Sequence, residues 1–346
     1  MDKETSMMGR TTKWLLSAGM LGALVGCGGG TSGTADGGTP AVDRTYDYVV
    51  NTLTIDESTS AMVAHTGFNL DGRFSPTAMR DRMPLDCDHG DFFSSIDPDQ
   101  NGDAQGMACM GGAAGCRGGV DNQLPELAGA AMMLINIRES LRTQVSSGAL
   151  SLIVRVSGVS SLTNDTSVRV QIFQGRPMFA ACSNIGMVSQ PYALDSSSST
   201  YNGGQGVSFM GSIVNGRLRV TPGGGGTFNL PLPPIMGMSI SVPLSNAQIR
   251  VSLTETNGTN GNLGGAVNRT DILNALIAIP AAAMFRSVIE SLINGLVDTA
   301  TPVGGMGGSC EGMSGAIGMG LGLTMVKANV QMAPVMGAQA GMCGSM

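Results

Sequence analysis

Charge is scarce in this chain of 346 residues: charged side chains make up 13% and aromatic ones 4%, against roughly 25% charged in an average globular protein. There are two histidines, His65 and His89, and the single tryptophan, Trp14, lies near the N-terminus. No Lys/Arg cluster occurs and the isoelectric point is 4.9, which argues against a basic nucleic-acid binder. No C-x-x-C pair accompanies the histidines, so a zinc site is disfavoured. A G-x-S-x-G nucleophile elbow is also missing, and no catalytic residue is assigned. The 25 methionines are spread through Gly/Ala-rich apolar stretches and read as adaptable core filler. Hydrophobic residues reach 42% with a net charge of only −6, a balance that excludes global disorder. The 52 glycines lack a three-residue period, which excludes collagen.

The N-terminus carries the clearest signal. Arg10 and Lys13 precede an apolar stretch, Trp14 to Gly26, that stops at Cys27. This stretch is too short to span a bilayer and has the order of a secretory signal. Leu24-Val25-Gly26-Cys27 resembles the lipobox of bacterial lipoproteins, which implies a signal peptide over 1–26 and lipidation of Cys27. Asp2 and Glu4 depart from the basic start such signals have, so translation is expected to begin at Met7 or Met8. Gly28 follows the lipidated position where inner-membrane retention would use Asp, so the resemblance implies an outer-membrane lipoprotein facing the periplasm or the cell surface. The glycine-rich stretch over 27–44 is a flexible tether.

Six cysteines remain: Cys87, Cys109, Cys116, Cys182, Cys310 and Cys343. An even count in an exported chain predicts three disulfides, among 15 connectivities. Acidic charge is concentrated nearby. From Asp86 to Glu126 there are eight acids and one base, Arg117, a local balance of −7 against −6 for the whole chain.

Within that window lies Asp97-Pro98-Asp99-Gln100-Asn101-Gly102-Asp103. Alternating oxygen ligands with glycine at the sixth position suit a hard cation such as calcium. The run resembles the first half of an EF-hand or dockerin-type loop, and the Asp-rich thrombospondin type 3 repeats. Carried over, the resemblance gives side-chain ligands to Asp97, Asp99 and Asn101, a backbone carbonyl to Asp103, and a direct or water-mediated contact to Gln105. The twelfth position is Ala108 and not a bidentate Glu, so further ligands are expected from Asp121 with Asn122, or from Asp71. The same run also reads as a solvated Asp/Asn/Gly turn.

The remainder reads as mainly β with a few helices: an antiparallel β-sandwich or barrel with two or three packed helices. Leu124 to Arg142 has helical periodicity, and a second helical region starts at Thr270, is interrupted by Pro280 and runs to Val297. Strands are expected at 150–156, 168–173, 207–214, 217–220, 227–232, 238–242, 248–253 and 321–330, with Asn215-Gly216 as a two-residue hairpin turn. Asn257 to Ala266 reads as a polar glycine turn. This predicts an acidic-loop region with a helix over 45–146 and a β-rich domain over 147–346 with a helical insertion at about 270–297.

Two function classes follow. The first is a non-catalytic binding or structural module of the cell envelope, held to the membrane by its lipid, with a calcium-stabilised acidic loop and an envelope protein or extracellular ligand as partner. The second is a secreted hydrolase using acidic-loop carboxylates or a catalytic metal.

Overall fold

The computed structural model describes residues 43–58, 66–68, 70, 120–131, 136–178, 185–198, 200–220, 227–235, 238–278, 283–297, 299–300 and 315–335. The chain divides into Met1–Ala41 and Val42–Met346, and all described residues lie in the second unit.

Strand dominates that unit. In chain order the strands are β1 (Arg44–Thr54), β2 (Ser151–Val159), β3 (Asp165–Pro177), β4 (Gln190–Asp195), β5 (Val207–Val214), β6 (Arg217–Val220), β7 (Phe228–Ile235), β8 (Met238–Leu253), β9 (Asn257–Asn268), β10 (Thr299–Ala300) and β11 (Gly315–Val335). The helices are α1 (Leu124–Ala131), α2 (Ile137–Ser147), α3 (Arg269–Ile277) and α4 (Arg286–Gly295). β1, β2, β3, β5, β6, β8, β9 and β11 pair in that order, each antiparallel to the next, and β11 returns to β1. The ring is a closed eight-stranded barrel, an architecture that removes the two sheet edges. β1 lies in the acidic-loop region of the sequence yet pairs with β2 and β11, so both regions build one sheet.

Residue alternation explains the wall. Leu152, Val154 and Val156 of β2 and Val168, Val170 and Ile172 of β3 enter the core, while Arg155, Arg169 and Gln171 are directed outward. Apolar inside and polar outside is the reverse of a transmembrane barrel. Ile153 and Phe173 break the alternation for a reason: β4 runs parallel to β11 and antiparallel to β3, and covers this side of the wall. Val49, Ile153, Phe173, Tyr192, Leu194, Val326 and Ala328 form a second core there.

Tight turns close one end. The Gly216 N–H donates to Thr163 O at 2.7 Å and the Leu253 N–H to Gly216 O at 2.8 Å. From inside the barrel the Tyr48 hydroxyl donates to Thr254 O at 2.7 Å. Burial pushes this phenol well above its ordinary pKa. The helices stand at the other end, where α2 leads into β2 and α3 leaves β9. Ile137, Leu141 and Val145 of α2 and Ile289 and Ile293 of α4 complete the main core.

Several sequence expectations change. The single helix over 124–142 is two helices, the second capped by Asn136, whose side chain accepts from Glu139 N. The helical region over 270–297 divides, as expected from its interruption, into α3 and α4. Asn257 to Ala266 is not a turn but part of β9, paired with β8 on one side and β11 on the other. Its glycines make room for the neighbours' side chains: a Cβ on Gly258 would stand 2.7 Å from Met325 Cε, and one on Gly261 2.6 Å from Leu323 Cδ1. β11 begins at Gly315, six residues before the expected start at Leu321. Asn215-Gly216 does form the β5–β6 turn, with φ of 52° and 79°.

Candidate functional site

The first part of β11 carries bulk on one face and almost none on the other. Ile317, Met319, Leu321, Leu323 and Met325 belong to the main core. The intervening residues Gly318, Gly320 and Gly322 face outward, since successive side chains of a strand point to opposite faces. Two short segments, 66–68 with Leu70 and 120–123, lie on this bare strip. A Cβ on Gly318 would stand 2.2 Å from the Asp121 carbonyl oxygen, and one on Gly320 2.3 Å from that of Thr66. Gly264 on β9 opens in the same way, its Cβ position lying 2.8 Å from the Phe68 ring.

The two segments also hold each other. The Asp121 N–H donates to Phe68 O at 3.0 Å, and the Leu70 N–H donates to Asp121 Oδ2 at 2.5 Å. Asn122 ties both to the wall: its Oδ1 accepts from Gly320 N at 2.9 Å and from Leu124 N at 3.1 Å. Its Nδ2 donates to Thr66 O at 2.6 Å and to Gly320 O at 3.3 Å. Next along the chain, the Gln123 N–H donates to Gly318 O at 2.8 Å. Asp56 secures the first segment by accepting from Thr66 N at 2.6 Å and Thr66 Oγ1 at 2.8 Å. Arg138 then bridges to the helices, donating to Asp56 O at 2.9 Å and to Pro125 O at 3.1 Å. The Arg250 guanidinium sits 5.1 Å from the Phe68 ring centroid, within cation–π range.

The result is a clasp from which Asp121, Asn122 and Gln123 are excluded from solvent, at 1%, 0% and 0% exposure. Residues 71–119 connect its two sides, Leu70 and Val120. Most of the acidic window therefore begins and ends at one buried point on the barrel.

Of the residues expected to bind an ion, Asp121 and Asn122 are the described pair, and both belong to the clasp. The two hydrogen bonds accepted by Asn122 Oδ1 match the capacity of a carbonyl oxygen. Asp71, Asp97, Asp99, Asn101, Asp103 and Gln105 lie outside the described residues, as do Cys27, Cys87, Cys109, Cys116, Cys182, Cys310 and Cys343. Among the described residues no three or more His, Cys, Asp or Glu side chains gather as a metal site. No helix of those residues is long and apolar enough to cross a membrane.

Asp56, Thr66 and Phe68 were not legible as partners of Asp121 and Asn122. The available signal was the alternation Gly318-Met319-Gly320-Leu321-Gly322-Leu323, a strand bare on one face. No family model, curated protein or solved structure matches the chain.

Proposed function

We propose that the protein is a lipid-anchored, non-catalytic module of the bacterial cell envelope, whose packed barrel presents the acidic segment as its interacting element. The clasp is the observation that supports this reading: Leu70 and Asp121 are joined on a rigid wall, so the 71–119 segment is offered from a fixed base. Functional segments are commonly carried in this way by a scaffold that does not itself change. Calcium at Asp97, Asp99, Asn101 and Asp103 would hold together carboxylates that otherwise repel, and its binding free energy would add to the stability of the folded chain. Cys87, Cys109 and Cys116 belong to the same segment, and with Cys182, Cys310 and Cys343 they would form disulfides in an oxidising compartment.

Calorimetric calcium titration of the oxidised, unacylated chain tests the ion, with Asp97→Ala/Asp99→Ala as control. Saturable binding that raises the unfolding temperature and is lost in the variant is the expected result. No heat at millimolar calcium would reduce the run to a solvated turn. Mass spectrometry of the full chain expressed in a bacterial host tests the anchor: a diacylglycerol on Cys27 is expected, and an unmodified thiol there overturns it.

A further inference from the structure

The helical end of the barrel carries an apolar group outside the core. Met284, Phe285 and Val288 are 80%, 48% and 65% exposed, while Ile289, Ile293 and Leu296 on the other side of α4 are buried in the barrel. Met284 and Phe285 lie in the turn that leads into α4 and Val288 in its first turn, so the three exposed side chains follow closely on one another where the helix begins. Exposed Arg286 stands between them.

We infer that this group is a membrane-contact patch that sets the helical end of the barrel against the lipid surface, an inference that rests on the lipid anchor proposed above. The chain outside the barrel has the reach to allow it. Residues 27–42 are sixteen in number and span up to about 55 Å when extended, whereas the eleven residues of β1 rise only about 36 Å. Since β1 starts at the turn end, where Arg44 pairs with Val159, the anchor permits either end to face the bilayer. The patch selects between them. Phe, Met and Val flanked by a cation suit the boundary between headgroups and acyl chains. Weak insertion is sufficient, because an anchor only sixteen residues away holds the barrel at an effective concentration on the order of millimolar.

The test uses Phe285→Trp as a reporter, since the chain after Cys27 has no tryptophan of its own. On vesicles of phosphatidylethanolamine and phosphatidylglycerol, the acylated chain is expected to show a blue-shifted emission that brominated lipids quench at least twofold. The unacylated chain should cosediment with the same vesicles at least fivefold more than its Met284→Ser/Phe285→Ser/Val288→Ser variant. Unquenched emission together with equal cosedimentation overturns the patch. So does a concentration-dependent dimer abolished by the triple variant, which would assign the surface to a second copy. An unmodified Cys27 defeats the anchor but leaves the unacylated assay as a test of the patch.

Discussion

Asn122 grips both polar groups of the Gly320 backbone, accepting from its N–H at 2.9 Å and donating to its carbonyl at 3.3 Å. An asparagine side chain here does the work of another strand's backbone, and Gly320 allows the approach by having no Cβ. The same amide holds Thr66 O at 2.6 Å, so one residue joins the segments before and after the acidic excursion to the wall between them. Asn122→Ala is expected to cost about 2–4 kcal/mol, since it leaves several buried donors and acceptors unmade. Urea unfolding followed by circular dichroism would show this as a lower midpoint. An unchanged midpoint would mean that the clasp contributes nothing to global stability.

The glycine strip gives a sharper test, because two chemically identical substitutions should differ. Gly320→Ala puts a methyl group 2.3 Å from the Thr66 carbonyl and 2.7 Å from Gly67 Cα, and backbone atoms cannot swing aside as a flexible side chain can. A loss of at least about 2 kcal/mol is expected from such overpacking. Gly295→Ala, at the end of α4, meets nothing within 4 Å and should be neutral or stabilising by up to about 1 kcal/mol. Equal thermal shifts for the two variants would contradict this picture of the strip.

The strip also shows where sequence reasoning succeeds and where it stops. The β2, β3, β5 and β6 strands were legible because one side faces the core and the other water, so polarity alternates with the pleat. β9 and the first part of β11 were obscured because glycine fits their close contacts, with core side chains at Gly258 and Gly261 of β9 and with other segments of the chain at Gly264 of β9 and Gly318 of β11. Glycine in sequence reads as a turn, and only the neighbours Met325, Leu323 and Asp121 reveal it as packing. β4 was missed for a related reason. It is short, and Tyr192 and Leu194 bury against Ile153 and Phe173, whose own inclusion in a second core also interrupts the alternation of β2 and β3. Asp121 and Asn122 stood out as polar residues of interest, yet their partners lie 50 to 200 residues away in sequence and no local pattern could supply them.

Acid should weaken the second core through Asp195. Burial raises its pKa, but hydrogen bonds from Ser197 and Arg176 outweigh that effect and hold the carboxyl below its ordinary range. The Arg176 guanidinium approaches to 2.9 Å. A depressed folded pKa contributes stability that is present above the unfolded value, near pH 4, and is lost as pH falls through the folded value. Arg176→Gln should therefore be less stable than the parent at pH 7, with a difference that narrows below about pH 4. Thermal melts at pH 7 and pH 3 would show a constant difference if the pair had no ionic component.

Joining Leu70 to Val120 directly is the change that separates scaffold from excursion. The described clasp bonds run between residues on the two sides, Phe68 with Asp121 and Leu70 with Asp121. Replacing those 49 residues with about six of Gly and Ser shortens the loop by three doublings, which lowers its closure entropy by about 2 kcal/mol. The barrel should therefore keep its amide protection in β2, β3 and β11 and melt at a temperature no lower than the parent measured without calcium and with its cysteines reduced. Any stabilisation by calcium should vanish with the segment. If protection in the barrel collapsed instead, the excursion would be part of the fold and not an element the barrel presents. A melting temperature that fell only relative to the calcium-loaded parent would measure how much the bound ion adds.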